Sequence, residues 1–455
     1  MEKVIEGIRQ AASAHRADLD ELLRIPSISN DPAHKSDMEE AAKWLLTRMQ
    51  ELGIKSEIIP TPGHSIVYGE HLEAEGAPTI LVYGHYDVQP VDPLELWDTP
   101  PFEPSEREGA VFARGSSDDK GQLLIHLQAA REMLAAKGAL PVNLKFLLEG
   151  EEEVGSPNLK PFIESNVEKL ACDAVMVSDT GFFSREVPSM LYGLRGLTYV
   201  ELIVRGPNRD LHSGEFGGAV ANPVDALARM IAALHDDQRR VDIPGFYDKV
   251  RALESRERDA FAGLPYNESA YKDDLGLSAL EGEEGYTALE QLWARPTLEI
   301  NGIWGGFSGE GAKTVLPAEA GAKISCRLVP AQDPDEIADL LEKRLLDLAP
   351  AGVTVEFIRH HGGHPFLAEP DNPFVKAGER AIEKAFGKAP VLVRGGGSVP
   401  VTETFQSLLG VPCVMMGVGL PDDRLHSPNE KLDLDQYHRG IEAAAWFMEE
   451  AGKVR

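Results

Sequence analysis

The stretch Thr79–Asp87, TILVYGHYD, begins as an unbroken apolar run and ends in a histidine and an aspartate. Such a run, without polar alternation, is typical of a strand buried on both faces of a sheet. Two similar runs follow at Val142–Leu148 and Ala174–Val177, and a helix is predicted at about Gly121–Lys137, after the first strand, Thr79–Tyr83. This alternation predicts an α/β sheet with mostly parallel strands.

The same alternation extends towards both ends of the chain. Apolar residues at helical spacing predict a helix at about Lys3–Arg24, and the capping-box pair Ser36 and Glu39 begins a second helix that stops at Gly53. After roughly Gly363 the pattern returns, with two strands and a closing helix predicted at Val391–Arg394, Val411–Gly417 and Leu434–Ala451.

The middle of the chain has a different pattern. A strand, GLTYVELIVRG, leads to a helix at about Pro223–Leu234 and then to an irregular acidic stretch. Three strand candidates, TLEINGIW, GAKTVLP and GAKISCRLVP, precede a helix at Pro334–Leu348 and a strand, VTVEFIRHH. Two β-α-β units in this order predict a ferredoxin-like α+β domain with a helical insertion. We therefore predict one α/β domain, residues 1–194 and 364–455, interrupted by an inserted domain, residues 195–363.

The charge of the chain limits its partners. The 455 residues carry a formal net charge of −29, and 43% of them are hydrophobic, which is ordinary for a globular protein. Phosphate groups would be repelled over most of such a surface, so we expect neither nucleic acid nor an anionic membrane as a partner. A small anionic substrate remains compatible, because a local basic site can override the global field.

Cysteine usage indicates a reducing compartment. Cys172, Cys326 and Cys413 are scattered, odd in number and free of Cys-x-x-Cys spacing. The first residues, MEKVIEGIRQ, lack the apolar core of a signal peptide, and no run approaches the roughly 20 apolar residues that span a bilayer. We therefore expect a soluble, cytoplasmic protein.

Metal-capable residues follow four of the apolar strands, at or shortly after their carboxyl ends. They are His85, the glutamates of KFLLEGEEE, Asp179 and His426, and Asp118 precedes the Gly121 helix as a fifth candidate. Each alone has an ordinary structural explanation, such as a hydrogen-bonded histidine, a solvated loop or a helix cap. Ligands bind at the carboxyl ends of the strands in open α/β sheets, so their convergence on one edge favours a functional site.

The chemistry of these side chains favours metal. Two histidines and three carboxylates, with no thiolate, suit zinc, manganese or cobalt and are too rich in nitrogen for calcium or magnesium. Five ligands exceed what one tetrahedral catalytic ion uses, whereas two ions sharing a bridging carboxylate would each keep an open position. Asp87, two residues after His85, could orient that ring through its other nitrogen.

Eight motifs give the chain a family resemblance that runs in order from about Leu19 to Lys431. They are GHYDVQP, ARGSSDDKG, EGEEEVGS, SDT, LHSGEFGG, CRLVP, GGGSVPVT and HSPNEK. The chain resembles the dinuclear zinc peptidases of the carnosinase and cytosolic nonspecific dipeptidase type. Acetylornithine deacetylase, succinyl-diaminopimelate desuccinylase and tripeptidase are more distant relatives.

The resemblance implies a role for each candidate. Asp118 would bridge two ions, with His85 and Asp179 on one ion and Glu153 and His426 on the other. Glu152 would be the general base, Asp87 the residue that orients His85, and the Asp118–Asp119 peptide bond would be cis. The glutamate register follows the Glu-Glu-x-Gly-Ser pattern, which only Glu152–Glu153 satisfies.

A substrate site is predicted at RGGGSVPVTETF, where Gly397 and Ser398 precede Pro400, a favourable first residue for a helix. Exposed amides at a helix start favour an anion. A phosphate loop is the alternative, but no Gly-Lys-Ser/Thr follows. A free substrate carboxylate fits better, and the resemblance adds Arg327 and Thr314 as contacts, although Arg327 alone could be a structural ion pair.

The resemblance also implies an assembly and an activity. The inserted domain would act as a lid and pair two chains in a homodimer, and His212 would polarise the scissile carbonyl in the site of the opposite subunit. The expected activity is cleavage of a small peptide, most of all a dipeptide held by its terminal carboxylate. An N-acyl-amino-acid deacylase with the same mechanism is the alternative, and a non-catalytic metal-binding scaffold is a second one.

Overall fold

A computed structural model describes residues 1–397 and 400–454 of the chain. They form two compact units, one within Met1–Tyr192, Ala368–Val393 and Val401–Arg455 and the other within Gly193–Leu367 and Arg394–Pro400. Residues 394–400 therefore group with the second unit, although the sequence-based division assigned them to the first domain. The predicted domain boundaries themselves stay a prediction, because a compact unit need not fold alone.

The described residues form strands and helices in regular alternation through most of the chain. The strands are β1 Lys55–Ile59, β2 Ile66–His71, β3 Thr79–His85, β4 Ser105–Arg107, β5 Ala110–Phe112, β6 Asn143–Glu149, β7 Ala174–Val177, β8 Ser189–Leu194, β9 Gly196–Arg205, β10 Leu211–His212, β11 Thr297–Gly305, β12 Val315–Leu316, β13 Glu319–Leu328, β14 Thr354–Gly363, β15 Phe366–Leu367, β16 Val391–Gly395, β17 Cys413–Met415 and β18 Lys431–Asp433. The α-helices are α1 Glu2–Gln10, α2 Ala12–Leu23, α3 Lys35–Glu51, α4 Lys120–Lys137, α5 Leu159–Ser165, α6 Val167–Leu170, α7 Ser213–Phe216, α8 Pro223–Ala232, α9 Ser255–Ala262, α10 Glu268–Asp274, α11 Ala288–Ala294, α12 Pro334–Leu348, α13 Pro373–Phe386, α14 Pro400–Leu409 and α15 Leu434–Ala451. Short 3-10 turns lie at Pro32–His34, Leu94–Leu96 and Glu152–Val154.

The sheet of the first unit has the strand order β1-β2-β6-β3-β7-β17-β8. Its middle is parallel, because β3 pairs in parallel with β6 and β7, and β7 pairs in parallel with β17. The flanking pairs β1–β2, β2–β6 and β17–β8 are antiparallel. The predicted α/β sheet is thus confirmed, and its parallel centre is formed by the apolar strands, which are buried.

Local sequence signals position the helices of this unit. Helix α4 ends at Gly138, whose φ of 72° is a left-handed conformation that suits glycine. Helix α15 begins after Asp433, whose carboxylate accepts the first free N–H groups of the helix. The single helix predicted at Lys3–Arg24 is wrong, since α1 and α2 are separated at Ala11, a residue that interrupts no apolar periodicity. Among the helices in the described ranges, none is both long and apolar enough to cross a lipid bilayer.

The second unit contains a four-stranded antiparallel sheet with strand order β11-β13-β9-β14. With α8 after β9 and α12 after β13, the chain follows the β-α-β-β-α-β path of the ferredoxin-like topology, as the sequence predicts. The inward side chains of the sheet and of α8 and α12 form a core around Leu202, Ile324 and Leu341. A role as a lid or in dimerisation does not follow from topology and stays a prediction.

Two features of the second unit differ from a plain ferredoxin-like domain. The insertion between α8 and β11 contains α9, α10 and α11. The stretch GAKTVLP, predicted as a strand, forms one only over β12, which pairs with β10 and not with the four-stranded sheet. Its apolar part is only three residues long, too short to continue a strand across the sheet.

Candidate metal centre

The carboxyl ends of the parallel strands carry the polar side chains of the first unit. His85 is the last residue of β3, and β6 ends at Glu149, shortly before the turn Glu152–Val154. Asp179 follows β7, and His426 lies in the loop between β17 and β18. Because β6, β3, β7 and β17 are neighbours in this order, these chain segments meet at one edge of the sheet.

Asp118 lies at the centre of this cluster. Its Oδ1 is 3.1 Å from His85 Nε2, and its Oδ2 is 3.0 Å from His426 Nε2. Asp179 Oδ2 lies 3.9 Å from His85 Nε2, and Glu153 Oε2 lies 3.4 Å from His426 Nε2. Two triads therefore share Asp118, and the ligand atoms of each triad lie within 4.8 Å of one another.

The loop that delivers Asp118 is buried and sharply folded. Asp118 is joined to Asp119 by a cis peptide bond, as expected from the resemblance. Asp119 is buried, and its Oδ2 accepts the backbone N–H of His85 at 3.2 Å. This contact connects the loop to the end of β3.

Asp87 contacts both the first histidine and the glutamate turn. The nearest partner of His85 Nδ1 is the backbone carbonyl of Asp87, at 3.1 Å, and the Asp87 carboxylate is 3.4 Å away. The same carboxylate accepts the backbone N–H groups of Glu152 and Glu153 at 3.2 and 3.1 Å. Asp87 therefore contacts the ring, and it also holds the turn that carries the glutamates. Strand β3 has ended before this point, so strand alternation does not orient its side chain.

The crowded glutamates differ in their hydrogen bonds. Glu149 accepts the hydroxyls of Tyr83 and Ser156 at 2.5 and 2.9 Å. Glu151 accepts from the backbone N–H of His64 and from Asn158 Nδ2. Both carboxylates are thus engaged by neutral donors of the scaffold.

Burial of the carboxylates dominates the electrostatics of the cluster. It raises the pKa of Asp179 to about 7 and that of Glu153 to about 8, and the charge of Asp118 adds to both shifts. Burial also raises the pKa of Glu152. For Asp118 burial acts in the same direction, but the hydrogen bonds of the two histidines outweigh it and lower the pKa below its usual range.

The two histidines shift in the opposite direction. The hydrogen bond to Asp118 raises the pKa of His426 to about 9. Burial opposes a charged His85, but its hydrogen bonds to Asp118 and Asp87 prevail and raise its pKa well above the usual value.

These shifts and the donor set fit divalent metal. Burial raises the pKa of Asp179, Glu152 and Glu153, and the negative charge of Asp118 adds to each shift. The positive charge of the two histidines offsets these shifts only in part, so the cluster lacks countercharge. A cation in each triad would supply that countercharge. Two imidazoles and three carboxylates, with no thiolate among them, are the donors that zinc, manganese and cobalt accept.

The predicted residues His212 and Thr314 lie together in the second unit. The short strands β10 and β12 pair His212 with Val315, and the N–H of Ser213 donates to the Thr314 carbonyl at 3.1 Å. His212 is exposed, and its Nδ1 accepts the N–H of Gly214 at 3.0 Å. A neutral ring that accepts at Nδ1 carries its proton on Nε2, so Nε2 is the donor that remains.

Arg327 and Gly397 also lie in the second unit. Arg327 is on β13, and burial, together with the positive charge of Arg327, lowers the pKa of Arg195 to about 10. The Arg195 backbone N–H and Nε donate to the carbonyls of Gly397 and Gly396 at 3.1 and 3.0 Å. A Cβ on Gly396 would lie only 3.2 Å from Arg195 Nη2, so glycine permits this close approach. The predicted substrate residue Ser398 lies outside the described residues.

Comparison with known proteins identifies the family. Residues 81–450 match the model of peptidase family M20/M25/M40. The chain belongs to this family.

Several relatives align over most of their length. The Cys-Gly metallodipeptidase dug1 of Schizosaccharomyces pombe is 33% identical, covering 100% of this chain and 99% of the relative. The human Beta-Ala-His dipeptidase is 32% identical, covering 82% of this chain and 75% of the relative. The crystal structure of an M20 family metallo-carboxypeptidase from Sulfolobus solfataricus is 36% identical, with a TM-score of 0.84 and coverage of 97% and 99%.

Two residues that the sequence patterns did not single out contact the candidate ligands or the loop that carries them. Gln89 Nε2 donates to Glu153 Oε2 at 2.7 Å, and Glu430 binds the loop that carries Asp118. Both stand inside quoted motifs, GHYDVQP and HSPNEK, which was the available signal. Glutamine is not one of the metal-ligand types that we sought, and Glu430 precedes strand β18 and does not follow the carboxyl end of a strand. The search for metal-capable residues after strands therefore found neither.

The shared position of Asp118 predicts how metal content responds to substitution. Asp118→Asn removes one charge from both triads and should leave the dialysed protein with fewer than one tightly bound ion per chain. Asp179→Asn affects one triad only and should leave about one ion. Metal analysis of the dialysed proteins, with manganese or zinc added first, measures the ratio. Equal losses in the two variants would contradict a shared ligand.

Proposed function

We propose that this M20 chain hydrolyses short peptides, most of all dipeptides, with two divalent metal ions. The observation that carries the proposal is the pair of triads that share Asp118 at the carboxyl edge of the parallel strands. The names of the aligned relatives, a Cys-Gly metallodipeptidase and a Beta-Ala-His dipeptidase, support a dipeptide substrate.

The metals we propose are zinc or manganese, with cobalt as a third option. His85 and Asp179 would hold one ion, Glu153 and His426 the other, and Asp118 both. Two ions bound there would lower the pKa of a water molecule and polarise the scissile carbonyl.

Glu152 is the general base in this proposal. The backbone N–H of Glu152 donates to the Asp87 carboxylate, which holds the turn. This contact uses only the backbone of Glu152 and does not involve its own carboxylate. The neighbouring Glu149 and Glu151 are engaged by neutral donors, and Glu153 belongs to a triad. Glu152 therefore takes the proton of the attacking water and returns it to the leaving amine.

The carboxylate terminus of the substrate would bind to the second unit. Arg195 and Arg327 place two positive charges near each other, which an anion would stabilise. Arg195 also holds the glycine loop that contains Gly397, and α14 begins at Pro400, where the N-terminus of a helix favours an anion. Arg327, Thr314, Gly397 and Ser398 are the contacts we propose, and they would make the enzyme an exopeptidase.

We further propose a homodimer in which His212 reaches the site of the opposite subunit. The Nε2–H of His212 is a suitable donor for the developing oxyanion, because Nδ1 already accepts a hydrogen bond. The edge strand β11 and the loop after it expose Ile303, Trp304 and Phe307, an apolar surface of the kind that protein interfaces cover.

A cytoplasmic location completes the proposal. Cys172, Cys326 and Cys413 are all free thiols, which is the pattern expected in a reducing compartment.

A substrate panel with controlled metal content tests this function. After exhaustive chelation the protein should remain folded and inactive, and zinc or manganese should restore cleavage of dipeptides. Acyl-amino acids and peptides with an amidated C-terminus should be poor substrates, because the former lack the free N-terminal amine of a dipeptide and the latter lack the terminal carboxylate. Preferential cleavage of acyl-amino acids would favour the deacylase, and full activity without metal would refute the proposal.

Substitution of adjacent glutamates separates the base from the scaffold. Glu152→Gln should retain both ions and lose at least about 10²-fold in kcat, the usual scale for a positioned general base. Glu151→Gln is the matched control and should lose stability more than kcat, since its partners are His64 and Asn158. A normally active Glu152→Gln beside a metal-replete, inactive Glu151→Gln would move the base by one position.

Mixed dimers test the role of His212. His212→Ala should be metal-replete and dimeric, with activity reduced by about 10²–10³, the usual loss for one oxyanion donor. A heterodimer of His212→Ala and Glu152→Gln contains one site with both defects and one with neither, so activity should return towards half. Inactive heterodimers, verified by mass, would show that His212 does not act across the interface.

A further inference from the structure

Glu430 is a buried carboxylate with an unusual set of partners. It is fully buried, and its Oε1 accepts the backbone N–H groups of Ser117 and Asp118 at 2.9 and 3.1 Å. Its Oε2 accepts the N–H of Gly115 at 3.0 Å and the Nη1 of Arg114, also buried, at 2.7 Å. The Glu430 carboxylate therefore accepts three backbone N–H groups of one loop and one guanidinium N–H group.

These partners make up the loop that delivers the shared ligand. The loop runs from Arg114 to Asp118 and turns into α4 immediately after the cis peptide bond. Its N–H groups would otherwise be buried without acceptors. The position of Asp118 thus depends on where the Glu430 carboxylate stands.

The backbone of Glu430 is held in turn by the small sheet of β4, β5 and β18. Strand β18, which begins one residue after Glu430, pairs antiparallel with β5, and the Ala113 N–H donates to the Glu430 carbonyl at 3.1 Å. Backbone pairing between β18 and β5 alone therefore places Glu430 beside the loop from Arg114 to Asp118.

Glu430 also ends the loop that carries His426. In this loop Arg424, His426 and Asn429 have φ values of 57°, 58° and 63°, left-handed conformations that side chains rarely adopt. Such a loop keeps its shape only when its ends are fixed by other contacts. Asp423 fixes the start, since it accepts Ser117 Oγ at 2.8 Å, and Glu430 fixes the end.

We infer that Glu430 is a positioning residue of the metal centre. It holds the loop of Asp118 by its carboxylate and the loop of His426 by its backbone, and so sets the distance between two ligands of one triad. The inference rests on the proposed function for the identity of the ligands, but its arrangement of hydrogen bonds belongs to the chain itself.

The test compares metal binding in Glu430→Gln and in a matched control, Glu450→Gln. Glu450 is also buried and accepts from Arg380, Lys384 and Lys453, but its partners lie on other segments of the first unit. In Glu430→Gln one oxygen becomes an NH₂ group that faces N–H donors. Manganese binding to the chelated protein, measured by calorimetry, should weaken about 10- to 100-fold, the usual effect of losing a partner that orients metal ligands.

The control separates positioning from stability. Both variants should melt at lower temperature in chelator, whereas only Glu430→Gln should bind manganese more weakly and regain kcat with excess manganese at unchanged KM. If Glu430→Gln does not fold, Glu430→Asp, which keeps the charge but shortens the side chain, should show the same direction of change. Unchanged manganese affinity in a folded Glu430 variant would overturn the inference. A wild-type protein that binds no manganese, zinc or cobalt would instead overturn the proposed function.

Discussion

Carboxylates that stand close together out of water repel one another, and the first unit gathers several of them at one edge of its sheet. Burial raises the pKa of Asp179 to about 7 and that of Glu153 to about 8, and repulsion by the neighbouring charge of Asp118 adds to both shifts. The fold maintains this arrangement because the parallel strands end at the same edge of the sheet. Burial of the apolar strands fixes the position of those ends. A divalent cation bound among these carboxylates would relieve their repulsion.

The acidic residues around this edge have two different tasks. Those of the triads face one another, whereas Asp87 and Glu430 face backbone N–H groups of loops. A carboxylate that accepts several backbone N–H groups has its acceptor positions occupied, so it fixes loops that contain little regular structure. The acid-rich composition near the site is therefore partly scaffold, and only part of it is available to a cation.

The sequence predicts the sheet well, because buried strands leave a local apolar pattern, whereas the metal-ligand assignments stay a prediction. The buried strand β7 and the helix α15 have the predicted bounds, and His85 ends its strand as expected. What escaped prediction depends on contacts between distant segments. The separation of α1 from α2 at Ala11 leaves the apolar periodicity intact, and the bond between Glu430 and Arg114 joins residues 316 positions apart. Asp87 was expected to orient His85 by its carboxylate, but its backbone carbonyl lies nearer to His85 Nδ1. This contact depends on the backbone conformation after the strand has ended, which the sequence pattern does not indicate.

A net charge of −29 is compatible with the proposed binding of a substrate carboxylate for a physical reason. At physiological ionic strength the screening length is about 8 Å, so most of the surface charge does not reach a given point on the molecule. Arg195 and Arg327 are partly buried, so their charges are less screened from each other, and the charge of Arg327 adds to the burial that lowers the pKa of Arg195 to about 10. An anion bound beside them gains their attraction at short range, while the repulsion by distant carboxylates is weakened by salt. If the substrate carboxylate binds as proposed, the local field of these arginines would stabilise it, and the global charge would affect mainly the rate of approach.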